Sequence, residues 1–188
     1  RRGYKTIDEI YVMEKKIYKT EYRSPIGVLT LASEGENLIG VWIEGQKISL
    51  DESKMVENSG FEVFCLTKKW LDEYFCGKRP DATKIPLAPI GNEFRQGVWK
   101  FLRKIPYGKT TTYGEIAAEI AQQRGLKRMS AQAVGGAVGH NPISIIVPCH
   151  RVVGKNGNLT GYAGGIELKT ALLKLENADM TKFFLPKK

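Results

Sequence analysis

The stretch 130-SAQAVGGAVGHNPISIIVPCHRVV-153 decides how this chain is read. Its first part, "SAQAVGGAVGHN", reads as a short helix built almost wholly of Ala, Gly and Val. Each glycine costs a helix on the order of 1 kcal/mol against alanine, so stability is not why they are there. Small side chains let a helix approach another backbone closely, either a neighbouring helix or a nucleic acid. Next comes an apolar run, Ile143 to Val147, which reads as a buried strand ending at Pro148. Cys149, His150 and Arg151 follow directly.

A thiol beside an imidazole has two readings. Free cysteine is among the most buried residue types, so Cys149 can be a packing residue. It can also be a nucleophile with a base at hand. The thiolate attacks, and an ordinary thiol holds little thiolate at neutral pH, so a neighbouring His or Arg would matter. Adjacent residues on an extended segment point to opposite faces. Direct contact would therefore need a bend near Pro148, and otherwise a bridging water would carry the proton.

Upstream, Phe94, Val98, Phe101, Leu102 and Ile105 form one helical stripe, which "IPYGK" ends. "TTYGEIAAEIA" opens a second helix, with Thr112 and Glu115 at capping-box spacing. A short helix, a turn and a small-faced helix suggest helix-turn-helix architecture. Downstream, "GKNGNLTGYAGG" is glycine-rich without a P-loop or a G-x-G-x-x-G, and reads as a flexible wall near the thiol. A helix with Leu168, Leu172, Leu173 and Leu175 follows.

The first half reads differently. "IYKTEY", "GVLTLASEG" and "NLIGVWIEG" are β-rich runs separated by turn signals, an expected antiparallel meander. "LTKKWLDEYFCG" puts Leu66, Trp70, Leu71, Tyr74 and Phe75 on one helical face; Cys65 and Cys76 flank it and are expected in or near the core. The proline-rich segment 78–91 reads as a linker. Met13 is the expected start, with residues 1–12 a leader.

Charge follows the same division. Residues 1–86 carry 14 basic and 14 acidic side chains, whereas residues 87–188 carry 15 basic and 6 acidic. The excess is either a solvated surface or a footprint for a polyanion such as nucleic acid. No stretch suggests a membrane span or a secretory signal. Three cysteines without C-x-x-C or Cys/His metal spacing argue against a zinc site and fit a reducing cytoplasm.

Taken in order, "VW…L…IPYGKTTTYGEIA", "AVGGAVGHNP", "PCHRVV" and "GYAGG…K…LL…E" resemble the O6-alkylguanine-DNA alkyltransferases, across about residues 92–177. The resemblance implies an α/β ribonuclease-H-like N-terminal domain over 13–86. It implies a mostly α, winged-helix-like DNA-binding domain over 87–188. The implied activity is DNA repair by irreversible transfer of an alkyl group from guanine O6, in a base flipped out of the duplex, to the protein's own cysteine. Whether O4-alkylthymine is also a substrate stays open in the sequence. No cofactor or metal is implied; the partner is double-stranded DNA carrying O6-alkylguanine, and the protein is expected to be a cytoplasmic monomer.

Carried over by position, Cys149 is the acceptor and His150 a base acting through water, oriented by Glu176. Asn141 supports the turn of the active-site segment, and Tyr113 contacts the flipped base. Val152, Tyr162, Ala163 and Gly164 line the guanine pocket. Ala131, Gln132, Ala133, Gly135 and Gly136, with Thr112, Arg128 and Arg151, face DNA, and Arg124 and Lys127 would add phosphate contacts. Many family members have arginine where this chain has Gln132, which implies weaker DNA binding or slower flipping here. Two competing readings are a non-catalytic alkylated-DNA-binding regulator, whose family relatives lack the cysteine, and a cysteine hydrolase, which would need an oxyanion loop.

Overall fold

Alternating β-branched and polar residues in the first half build a four-stranded sheet. In the computed structural model, which describes residues 15–186, β1 (Ile17–Ser24), β2 (Gly27–Ser33) and β3 (Leu38–Ile43) form the expected antiparallel meander. A short β4 (Met55–Glu57), with no clear signal in the sequence, adds parallel to β1, giving the order β3-β2-β1-β4. The leader expected over 1–12 and the start at Met13 lie outside the described residues.

Helix α1 (Glu62–Phe75) packs on β1 and β2 and buries Val63, Phe64, Thr67, Trp70, Leu71 and Tyr74. Gly77, just past its C-cap, takes the left-handed φ of 76° that ends many helices. Cys65 and Cys76 correct the expectation that they join the core, because both are exposed. Cys65 points off the outer face, and Cys76 falls beyond the last full turn.

The free edge of β3 would be a site for unwanted pairing. Here the chain covers it twice. Pro86 and Ala88 bond to Leu38, so the proline-rich linker is held against the sheet. Farther along, Val41 N–H donates to the Pro142 carbonyl and Ser144 N–H donates to the Val41 carbonyl, each near 2.9 Å (2.8 and 2.9 Å). The segment leading to Cys149 is therefore docked on the N-terminal sheet. One hydrophobic core runs through both halves, joining Leu31 and Phe64 to Val98, Ile116 and Val147.

In the second half, α2 (Glu93–Leu102), α3 (Tyr113–Gln123) and α4 (Ala131–Gly139) pack on one another. α5 (Ile166–Leu175) lies against the turn that carries Cys149. The α2 stripe ends one turn earlier than its periodicity suggests; Ile105 is buried from the turn after it. Trp99 fixes α2 to α4 through an indole N–H bond to the Ala137 carbonyl at 2.9 Å. The capping box at Thr112 and Glu115 forms as the spacing predicts, and Ser130 caps α4. Two-residue strands β5 (Thr111–Thr112) and β6 (Val152–Val153) pair in parallel and set the start of α3 beside the end of the Cys149 turn.

Ile143 to Val147 is fully buried but is not a strand. It makes one bridge, Ile143 to Val41, and then turns through Ile145, whose φ is 71°. A β-branched residue in that region is strained, and the surrounding packing must hold it there.

Candidate active site and nucleic-acid interface

Cys149, His150 and Arg151 form a single 3-10 turn, the bend that a direct approach of thiol and imidazole required. Asn141 fastens the approach to it. Its Nδ2 donates to the Val147 carbonyl at 2.7 Å and to the Ile143 carbonyl at 3.3 Å, and its Oδ1 accepts from Ile143 N–H at 3.0 Å.

Glu176 stands at the C-cap of α5 and is 1 % exposed. Its Oε1 accepts from His150 Nε2 at 2.7 Å, from Tyr74 O–H at 2.7 Å and from Arg151 Nη2 at 2.9 Å. Its Oε2 accepts from Arg151 Nε at 2.8 Å and from Gly108 N–H at 3.1 Å. Burial alone would push this carboxyl up, but hydrogen bonds and charge from His150 and Arg151 outweigh it and hold Glu176 well below the usual carboxylate range. The carboxylate can only accept, so His150 Nε2 carries the proton and Nδ1 keeps its lone pair. Nδ1 is buried and has no hydrogen-bond partner within the protein.

Electrostatics at rest favour neutral partners. Burial pushes the Cys149 thiol up, against smaller opposing effects from Asn141, the Lys169 charge and nearby N–H groups. Burial pushes His150 down, and the Arg151 and Lys169 charges add to that, against the pull of Glu176. A thiolate–imidazolium pair is thus not the resting state. The proton leaves sulfur when the reaction demands it.

Lys169 and Tyr74 carry parts of the site that the sequence reading missed. Lys169 is fully buried, donates to the Val152 carbonyl at 2.5 Å and the Thr160 carbonyl at 2.7 Å, and is pushed down to about 8 by burial. A lysine on the same helical face as Leu172 and Leu173 was the available signal. Tyr74 left none, being 102 residues from Glu176.

The glycine-rich segment closes over the turn. Tyr113 donates its hydroxyl toward the Thr160 and Gly161 carbonyls, both at 3.2 Å, and burial raises its phenol to about 12. Gly161 is at φ 71°, and a Cβ there would meet the Tyr113 hydroxyl at 2.6 Å. The Tyr162 hydroxyl is buried without a partner, a second unsatisfied polar atom at this site. Val152 is buried with its carbonyl bonded to Lys169, while Ala163 is exposed on a neighbouring cleft and Gly164 packs against Tyr162.

Outside this closed site runs an open cleft of about 1160 Å³ between the starts of α3 and α4, lined by Thr112, Tyr113, Ala131, Gln132, Gly135 and Gly136 among others. α4 buries Val134, Ala137 and Val138 and exposes Ala131, Gln132, Ala133 and Gly136. The Thr112 hydroxyl is engaged by Glu115 within the capping box. Arg128 is exposed beside Lys127 on an adjoining cleft. Arg151 corrects the expectation that it faces DNA: it is 9 % exposed, bonded to Glu176 and the Ile105 carbonyl, with its guanidinium over the Tyr107 ring.

With this geometry in place, comparison with known proteins is direct. Residues 17–89 match the 6-O-methylguanine DNA methyltransferase ribonuclease-like domain, and residues 93–178 match the DNA-binding domain of the same family. The chain is 44% identical to a methylated-DNA–protein-cysteine methyltransferase of Methanosarcina acetivorans, over 86% of this chain and 99% of that protein. The chain belongs to the methylated-DNA–protein-cysteine methyltransferase family.

A Haemophilus influenzae member is 41% identical over 85% of this chain and 86% of its own length. Among solved structures, the Mycobacterium tuberculosis O6-methylguanine methyltransferase superposes with a TM-score of 0.73 at 43% identity, covering 88% of this chain and 98% of that one. The Mycobacterium tuberculosis protein in complex with DNA gives the same TM-score of 0.73 at 42% identity, covering 88% and 94%. Within this methyltransferase family member, two tests follow from the geometry.

A Cβ on Gly136 would meet nothing within 4 Å, so the free fold has no need of glycine there. Gly136→Ala is expected to leave the free protein as stable, or up to about 1 kcal/mol more stable, in urea titration. The same variant is expected to bind duplex DNA several-fold more weakly by fluorescence anisotropy, since the methyl group would stand on the exposed face; unchanged binding would remove α4 from the interface. In the free protein at pH 7, iodoacetamide is expected to label exposed Cys65 and Cys76 before Cys149, because burial favours the neutral, inaccessible thiol. Peptide mass mapping over time checks the order.

Proposed function

We propose that this chain repairs DNA by direct reversal, moving the alkyl group of O6-alkylguanine in a duplex onto Cys149. One observation carries the reading: His150 is locked to Glu176 at 2.7 Å through Nε2, leaving a buried, unpartnered Nδ1 on the same 3-10 turn as the thiol. The Cys149 proton passes through a bridging water to Nδ1 as sulfur attacks the alkyl carbon. The S–C bond forms, the C–O6 bond breaks, and its electron pair stays on O6 of the guanine. The guanine then takes up a proton, helped by Tyr113. The thioether has no route back, so each molecule acts once, without cofactor or metal.

The α3–α4 pair acts as a helix-turn-helix within a winged-helix-like C-terminal domain, which begins near residue 87 and follows a ribonuclease-H-like domain. α4 enters the minor groove, and the base is flipped out because its O6 substituent cannot be reached inside the stack. The unpartnered Tyr162 hydroxyl supports a pocket that bonds the flipped base. Gln132 stands at the exposed start of α4 where it would fill the space the base leaves. Arg124, Lys127 and Arg128 supply phosphate contacts. The protein works as a monomer in the cytoplasm; no helix among the described residues is long and apolar enough to cross a membrane, and its described cysteines are unpaired.

The deciding experiment is intact mass and peptide mapping after mixing with a duplex carrying one O6-methylguanine. One methyl group on the Cys149 peptide, saturating at one equivalent, is expected. DNA binding with no gain in mass would instead favour a non-catalytic regulator, and turnover beyond one equivalent a hydrolase. Gln132→Arg is expected to bind duplex more tightly, with a salt dependence steeper by about one charge, and to transfer methyl faster. Unchanged binding and rate would remove Gln132 from the flipping step.

A further inference from the structure

We infer that Tyr74, on helix α1 of the N-terminal half, is a positioning residue for alkyl transfer, setting through Glu176 how readily His150 takes the Cys149 proton. The inference rests on the Cys149–His150–Glu176 reading above and adds the ribonuclease-like domain to it.

Tyr74 is fully buried, and its hydroxyl donates to Glu176 Oε1 at 2.7 Å, the same oxygen that accepts from His150 Nε2. Its ring is held on three sides. It stacks on Trp70 at 5.1 Å between centroids, and meets Phe75 at 5.3 Å and Tyr107 at 6.1 Å edge-on. Burial pushes the phenol up, with the Glu176 charge acting in the same direction, so it stays protonated and donates at every working pH. A hydroxyl placed only to be satisfied would have done as well on a neutral carbonyl, as Tyr107 does on Leu175. Tyr74 is instead aimed at the charge that orients the imidazole.

The consequence has a sign. The positive end of the Tyr74 O–H dipole lies against Oε1 and lessens the negative potential that His150 feels through Nε2–H. His150 is also faced by the charges of Arg151 and Lys169, and these remain when Tyr74 changes. Removing the hydroxyl strengthens the pull of Glu176 on an imidazolium. His150 then titrates at higher pH, and the acidic limb of the transfer rate, where His150 must be neutral to accept a proton, moves up with it.

The experiment is single-turnover methyl transfer from an O6-methylguanine duplex to Cys149, followed by quench and peptide mass across pH 5 to 9. Above the acidic limb Tyr74→Phe is expected to transfer several-fold faster, because the imidazole is then the stronger base. It is also expected to move the acidic limb up by about half a unit or more. Tyr22→Phe, which removes a comparable phenol–carboxylate bond, to Asp72 rather than to Glu176, is expected to leave the limb in place. Site-specific 3-fluorotyrosine at position 74 keeps the ring's shape and makes the hydroxyl a stronger donor, so the limb is expected to move down; it decides the matter if the Phe variant does not fold. A limb that stays fixed in both position-74 proteins, whatever the rate or melting temperature, makes Tyr74 a packing residue and overturns the inference. A wild-type protein that never methylates Cys149 overturns the relay itself, a failure visible before any variant is compared.

Discussion

The carboxylate of Glu176 is the constraint on which the other parts depend. Taking an ion of this size out of water costs several kcal/mol even after relaxation, and it is tolerated only where its lone pairs are filled. Five donor groups from three separate places fill them: Tyr74 from α1, Gly108 from the turn before β5, and His150 and Arg151 (twice) from the reactive turn, with Glu176 itself ending α5. Arg151 adds the Ile105 carbonyl, so the loop between α2 and β5 is tied in as well. Such a network is weak support for overall stability, because a well-packed apolar cluster of the same volume would do as much. What it fixes is geometry. Every donor points the chain's distant segments at one pair of oxygens, and the imidazole can adopt only one tautomer there.

That geometry explains how a single-use nucleophile is kept from being wasted. The thiol is buried and pushed up, while the imidazole is buried and pushed down. A surface cysteine with a lowered pKa would react with any soluble electrophile. Here the reactive pair is neutral until a substrate occupies the site, and the cost of separating charge is met only when the leaving guanine develops its own negative charge. The strained Ile145 and the two-point docking of Pro142 and Ser144 on Val41 hold the turn in this state from the N-terminal side.

Local signals in the sequence carried far. The capping box at Thr112 and the meander rest on contacts within a few residues, and each formed. Cys149, His150, Glu176 and Asn141 fell together because a family resemblance, not periodicity, linked residues 35 positions apart. The errors have the complementary cause. Ile143 to Val147 has the composition of a buried strand, and apolar composition cannot tell a strand from another buried path. Arg151 was expected to face DNA by position in the family pattern, yet a buried carboxylate claimed it. Cys65 and Cys76 bordered an apolar stripe, and a shift of one position around a helix moves a side chain about 100° off the core face. Tyr74 and Lys169 act through long-range bonds that leave no local pattern.

The charge asymmetry and the glycines of α4 resolve into one arrangement. The basic excess belongs to the second half, yet Ala131 to Gly139 contains no charged residue at all. The cations stand beside it, at Arg124, Lys127 and Arg128 before its N-terminus and at Lys155 on the rim of the cleft. Phosphate contacts position a protein on a duplex, while the element that goes deepest must fit. A helix bearing long basic side chains would be held off at their length. One faced with Ala, Gly and a single glutamine can bring its backbone close, with affinity supplied from the flanks. A Cβ on Gly135 would meet the Tyr113 ring at 3.7 Å, whereas one on Gly136 or Gly139 would meet nothing within 4 Å. Two of the three glycines of α4, Gly136 and Gly139, therefore weaken the helix on exposed positions with no internal packing reason. A small-faced helix of this kind leaves room for another backbone to come close.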